Sequence, residues 1–101
     1  MTTPWIGTWN ISWQNAQNET VSAEMTLDVH ENGYGVGTYT HGDGKIDGGF
    51  SRGGKIFEGE WIQNDKRGYF AFILTSDTSF YGVRANSQDA DAVPWTGTKK
   101  Q

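Results

Sequence analysis

The chain contains no cysteine, which excludes disulfides, thiolate metal ligands and thiol chemistry. Proline occurs only twice, and no apolar run approaches the ~20 residues of a membrane-spanning helix. Cations are scarce and scattered: eight Lys and Arg stand against twelve Asp and Glu, for a formal charge of −4 and a pI near 4.9. With no basic stripe to follow a phosphate backbone, nucleic acid is not an expected partner, nor is an anionic membrane surface. There is no long charge block and no low-complexity run, so disorder is not expected. The opening Met1-Thr2-Thr3-Pro4-Trp5 lacks the basic and apolar regions of a secretory leader, and a cytoplasmic location is expected. Helical periodicity is also missing.

What is abundant is glycine and tryptophan, 14 and 5 of 101 residues, in a chain only 35% hydrophobic. At this length one domain is expected, spanning 1–101. A few aromatic side chains must then supply most of the burial, at ~150–250 Å² each. Strict alternation broken by Gly, Asn and Asp clusters predicts strands and hairpins. In 5–13, Trp5, Gly7, Trp9, Ile11 and Trp13 share one face; in 21–30, Val21, Ala23, Met25, Leu27 and Val29 share one. Further strands are expected near 34–41, 45–51, 55–62, 68–75, 79–86 and 94–99. Turn clusters such as Glu31-Asn32-Gly33, Gly42-Asp43-Gly44 and Arg52-Gly53-Gly54 separate them.

A small pattern recurs: a large side chain, any residue, Gly, any residue, a large side chain. It appears as Trp5-x-Gly7-x-Trp9, Ile46-x-Gly48-x-Phe50 and Phe57-x-Gly59-x-Trp61, with looser copies around Gly37, Gly82 and Gly97. Period two places each glycine on the face of its bulky neighbours. Glycine weakens a strand unless it allows a bend or a close approach, and a narrow barrel requires both. The segments Trp5-Ile6-Gly7-Thr8 and Trp95-Thr96-Gly97-Thr98 read alike, and pairing the last strand with the first would abolish both sheet edges. The fold class is therefore all-β: an eight-stranded antiparallel up-and-down meander closed into a small barrel.

Two resemblances follow from these residues. Phe57-Glu58-Gly59-Glu60-Trp61, then Lys66-Arg67-Gly68-Tyr69 and Phe80-Tyr81-Gly82, resembles a MORN repeat over about a quarter of the chain, which implies a protein-interaction module. Gly7-Thr8-Trp9 with Gly37-Thr38-Tyr39 is similar to the opening of avidin-like and calycin-like barrels, which implies an eight-stranded ligand-binding meander. Ile11 and His41 stand where the avidin pattern implies a biotin-contacting Asn and a ligand-contacting Ser, so the resemblance carries the architecture and not the biotin.

In such a meander the odd-numbered strands all end at one rim. On the glycine-bearing face this rim gathers Trp9, Trp13, Tyr39, His41, Trp61, Arg84 and Trp95, with Tyr69 or Phe70 beside them. The opposite half holds greasy residues and three-residue turns, while the longer loops fall at the aromatic rim. Core filling is the simpler reading of the tryptophans, and an exposed turn position the simpler reading of His41. An inward Arg84 is harder to explain by packing, because a buried guanidinium must find a partner. The expected function is binding of a small, flat or anionic organic ligand at this mouth. An enzyme of cyclase or isomerase type, shaping its substrate with His41 and Arg84 as the polar participants, is an alternative, as is a protein- or carbohydrate-interaction module. No catalytic set, metal spacing or cofactor motif is present: the two His are eleven apart, and Glu58 and Glu60 share a face with Ile56 and Ile62. Tyr69, Ala71, Ile73, Tyr81 and Val83 would form an apolar outer strip, so a homo-oligomer through the outer face of strands 55–86 is expected.

Overall fold

The computed structural model describes residues 4–14, 17–30, 33–64, 66–86 and 92–100. Eight strands run in sequence: β1 (Gly7–Gln14), β2 (Thr20–Val29), β3 (Tyr34–Tyr39), β4 (Gly44–Ser51), β5 (Ile56–Gln63), β6 (Lys66–Ser76), β7 (Ser79–Asn86) and β8 (Ala92–Lys99). Each pairs antiparallel with the next, and β8 returns to β1, closing the barrel. The closing seam aligns Trp13 with Trp95, Ile11 with Gly97 and Trp9 with Lys99. No strand is left with an unpaired edge among the described residues. The predicted meander, its closure and its strand positions are all observed, with boundaries shifted by one or two residues. The MORN-like stretch forms β5, β6 and the start of β7 within this closed sheet.

Alternation decides which side chains enter. Trp9, Ile11 and Trp13 from β1, Met25 and Leu27 from β2, Phe57 and Trp61 from β5, and Phe70 and Phe72 from β6 are all buried. Between them stand the inward glycines. Gly48 of β4 pairs directly with Gly59 of β5, so these two backbones approach with no side chain between them. A Cβ on Gly59 would collide with the Asp47 carbonyl and the Gly48 Cα. Bulk is supplied instead from the flanking positions Ile46, Phe57 and Trp61.

Two expectations are corrected. Trp5 does not continue β1: residues 4–6 form a turn, and Gly7 at φ +133° breaks the extended path. Trp5 instead folds beneath the barrel, fully buried against Trp9, Phe50, Phe57 and Phe80 at centroid distances of 5.6–6.1 Å. Its indole N–H donates to the Gly54 carbonyl at 2.6 Å, and Trp9 donates to the Trp5 carbonyl at 2.9 Å. The second correction concerns the turns at this end. The β4–β5 connection occupies residues 52–55, one more than the three expected, and a hollow of about 610 Å³ opens between Pro4, Val29, Phe50 and Leu74.

Glycines facing in and out should respond oppositely to a methyl group. Gly59→Ala should cost about 1–3 kcal/mol, as for overpacking a filled core. Gly49→Ala, on an exposed position where an added Cβ meets nothing within 4 Å, should be neutral or stabilise by about 0.5–1 kcal/mol through the backbone-entropy term. Urea unfolding of the two variants measures the contrast.

Candidate functional site

The end of the barrel opposite Trp5 collects aromatic rings from three sides. Trp13 lies at the end of β1, Tyr39 closes β3, and Trp95 lies beside Trp13 across the seam. Trp13 and Trp95 are 5.1 Å apart, and Tyr39 meets Trp13 and Trp95 edge-on at 6.0 and 5.6 Å. Across this end, β5 and β7 bring Trp61 and Arg84 together, with the guanidinium 5.0 Å over the indole. The ring of Trp61 fits because Gly68 on β6 stands against it, where a Cβ would fall 2.7 Å from the indole nitrogen. The Trp61 N–H donates to the Ala85 carbonyl at 3.3 Å.

The seven residues predicted for the mouth do not all gather there. Trp13, Tyr39, Trp95, Trp61 and Arg84 do. His41 sits exposed in the β3–β4 turn, its ring 5.4 Å from Trp13 and edge-on to it. Trp9 does not: it is fully buried one layer down, 5.2 Å from Phe80 and covered by Lys99 at 5.6 Å. Two residues on the same strand face of β1 are thus divided between the two ends, because the lumen is filled continuously from one to the other. Phe72 makes the join, 5.3 Å from Trp95 and 4.4 Å from Phe80. Of the pair Tyr69 and Phe70, it is Phe70 that points inward.

Gln63 is the residue that reading the sequence passed over. It follows Phe57, Gly59 and Trp61 at period two, and its Oε1 accepts the Tyr39 hydroxyl proton at 3.0 Å. Its signal was the same alternation, extended one step beyond the aromatic pattern.

Polar satisfaction differs sharply between these groups. Tyr39, Trp61, Trp9 and Trp5 all donate to an identified oxygen. Arg84 Nε and Trp95 Nε1 are buried and have no hydrogen-bond partner among the described residues. An unpaired buried donor costs about 1–3 kcal/mol. Burial lowers the Arg84 guanidinium from its ordinary pKa, with the Tyr39 phenol opposing. Burial likewise pushes the Tyr39 phenol up to about 12, and the Arg84 charge pulls it the other way. Among the described residues no carboxylate pairs with Arg84, and no group of three or more His, Cys, Asp or Glu is placed to hold a metal. The mouth is therefore an aromatic platform with two unused N–H donors, one of them cationic.

No family model matches the chain, and no curated protein matches it. Two solved structures are similar over almost its whole length. A redesigned β-barrel superposes with a TM-score of 0.81 at 15% identity, covering 97% of this chain and 93% of that one. The protein EF1p2_mFAP2b, solved bound to DFHBI, superposes with a TM-score of 0.73 at 13% identity, covering 96% of this chain and 94% of that one. At these identities the likeness is one of fold: a small eight-stranded antiparallel barrel.

The Tyr39 environment has a consequence for alkaline stability. An unfolded tyrosine ionises near 10, and the folded Tyr39 near 12. The native state therefore holds this proton more tightly, and its stability is complete below pH 10 and falls as the pH rises toward 12. The loss should reach up to about 3 kcal/mol, and Tyr39→Phe should remove that component. Tyr34 is also raised, through its hydrogen bond to Asp47, so the measurement is the difference between wild-type and variant melting curves across pH 9–12.

Proposed function

We propose that the barrel binds a small, flat, anionic organic molecule at its aromatic mouth, lined by Trp13, Tyr39, Trp61, Arg84 and Trp95. The observation that carries this reading is the pair of buried donors, Arg84 Nε and Trp95 Nε1, left without an acceptor. Buried polar groups are ordinarily paired, and a ligand oxygen supplies the acceptor that such donors lack, through a charge-assisted bond in the case of Arg84 and a carboxylate or phenolate. The ring platform supplies stacking area for a planar body. The DFHBI complex adds support, since a barrel of the same architecture accommodates a small organic molecule.

The platform rings are nearly inaccessible, Trp13 at 4% and Trp95 at 0%. Binding therefore begins with the rim. Arg84 lifts from the Trp61 face, giving up a cation–π contact of about 1 kcal/mol for a hydrogen bond to an anion worth about 1.5–3 kcal/mol. The ligand then stacks where the guanidinium lay. Trp61 and Arg84 thus act in opposite phases, one covering the other in the empty protein and both touching the ligand in the complex.

The test uses a panel of aromatic carboxylates and phenolates, each beside its neutral ester or ether, read by calorimetry and tryptophan fluorescence. Arg84→Gln should weaken the anions by about 10- to 100-fold and leave the neutral analogues nearly unchanged. Trp61→Ala should weaken both classes. Trp5→Ala, at the other end, should cost roughly 3–5 kcal/mol of stability while the remaining folded protein binds as before. Anions that bind no tighter than their esters, or affinities indifferent to Arg84, would overturn the reading.

A further inference from the structure

The outer surface of the barrel is not uniform. Across β8, β1 and β2 it is a polar hollow of about 830 Å³, where Ser12 and Thr96 share a hydrogen bond at 3.0 Å. Across β6 and β7 it is apolar. Tyr69 is 60% exposed, Tyr81 51%, Ile73 49% and Val83 38%; these are four of the six large hydrophobic residues exposed among the described residues. Cross-strand register arranges them in three rows. Tyr69 pairs with Ala85, Ala71 with Val83, and Ile73 with Tyr81. No charged side chain interrupts the rows.

The order within those rows is self-complementary. Consider a two-fold axis nearly parallel to the strands, lying between β6 and β7 and outside the sheet. It brings β6 of one copy over β7 of the other at the same height. Tyr69 then covers Ala85 of the second copy, Val83 covers Ala71, and Ile73 meets Tyr81. Large faces small in two rows of three, on both sides of the axis, which is the condition an isologous contact must satisfy. Charge is compatible too. Glu58 of β5 is level with Ala71, and Pro94 of β8 is level with Val83. The same axis sets Glu58 over Pro94 of the second copy, so the acidic edge of one copy does not meet the acidic edge of the other.

We infer that this face is a homodimer interface, with β6 and β7 of two copies packed face to face about that axis. Two sheets stacked this way lie about 10 Å apart and near −30° to one another, which keeps the central Ala71–Val83 row in register. The strip presents six side chains per copy, far fewer than the ~20–30 residues a side of a standard interface. The dimer is accordingly weak and concentration-dependent. It leaves the mouth free, because the axis runs along the barrel wall.

Sedimentation equilibrium up to roughly 1 mM protein detects even a millimolar dissociation constant. The wild type should reach a monomer–dimer equilibrium that stops at two. Val83→Lys and Ala71→Glu should each raise the dissociation constant by about tenfold or more, since each brings a charge that must be desolvated into the apolar rows. Both positions face outward, so near-ultraviolet circular dichroism should confirm an unchanged fold. Mixing the two variants should restore association, because the ammonium introduced on β7 of one copy would then face the carboxylate introduced on β6 of the other. A second exchange tests the large-over-small pairing: Tyr69→Ala and Ala85→Tyr should each weaken the dimer, and the double variant should recover it. A wild type that stays monomeric throughout, variants that dimerise as the wild type does, or a face that binds zwitterionic lipid vesicles without forming dimers would each overturn the inference.

Discussion

An eight-stranded barrel encloses a lumen only wide enough for its own side chains, and this chain places all five of its tryptophans within that boundary. The rings fit because glycine empties the wall opposite them. The Tyr39 ring lies where a Cβ on Gly44 would be, the Phe80 ring where one on Gly97 would be, and the Phe72 ring against Gly82. Every other property of the interior follows from this exchange of backbone for ring. It curves the sheet, holds each aromatic in one orientation, and leaves the lumen filled from floor to mouth. Close packing of this kind makes the interior stiff, so the Trp95 ring is held in place while the half-buried Arg84 at the rim is not packed on all sides.

The two ends use their polar groups differently. At the closed end, Trp5, Trp9 and Lys99 make a chain of bonds to backbone: Trp9 to the Trp5 carbonyl, Trp5 to Gly54, and the Lys99 ammonium to Pro4 at 2.6 Å. Each donor is used, and the turn at residues 4–6 is fastened to the barrel floor. At the mouth similar residue types are present, yet Trp95 and Arg84 keep N–H groups without an acceptor among the described residues. Composition does not separate the ends. The difference lies in whether an oxygen has been brought to each nitrogen, and that is what marks the mouth as the unsatisfied surface of an otherwise satisfied interior.

Alternation made most of this fold legible, because a strand with one buried face records its parity residue by residue. Trp9, Ile11 and Trp13 could be assigned inward from spacing alone. Trp5 could not be separated from them: it has the right parity, and only the Pro4 and Gly7 flanks mark a turn in place of a longer strand. In β6 parity was ambiguous, since Phe70, Phe72 and Leu74 alternate with Tyr69, Ala71 and Ile73, and both sets are apolar. Register against Gly82 resolves it, because Phe72 has room only on that side. The vertical position of Trp9 was hidden for another reason. Face is a matter of parity, but depth depends on the stagger between β1 and β8, which is set by a pairing across most of the chain. Gln63 was legible in pattern and missed for its chemistry.

That seam also orders events in time. Seven hairpin contacts join neighbours in sequence, whereas β1 waits for β8, with Lys100 N–H finally reaching the Thr8 carbonyl at 2.8 Å. Until the last strand is available the meander is an open, twisted sheet with two bare edges and its rings half covered. The closing β1–β8 pairing is the contact of largest sequence separation and so the slow one to form, and until it does the open edges can pair with those of another unfinished chain. The interval in which β1 to β7 are paired and β8 has not yet docked is therefore when this protein is most exposed to aggregation.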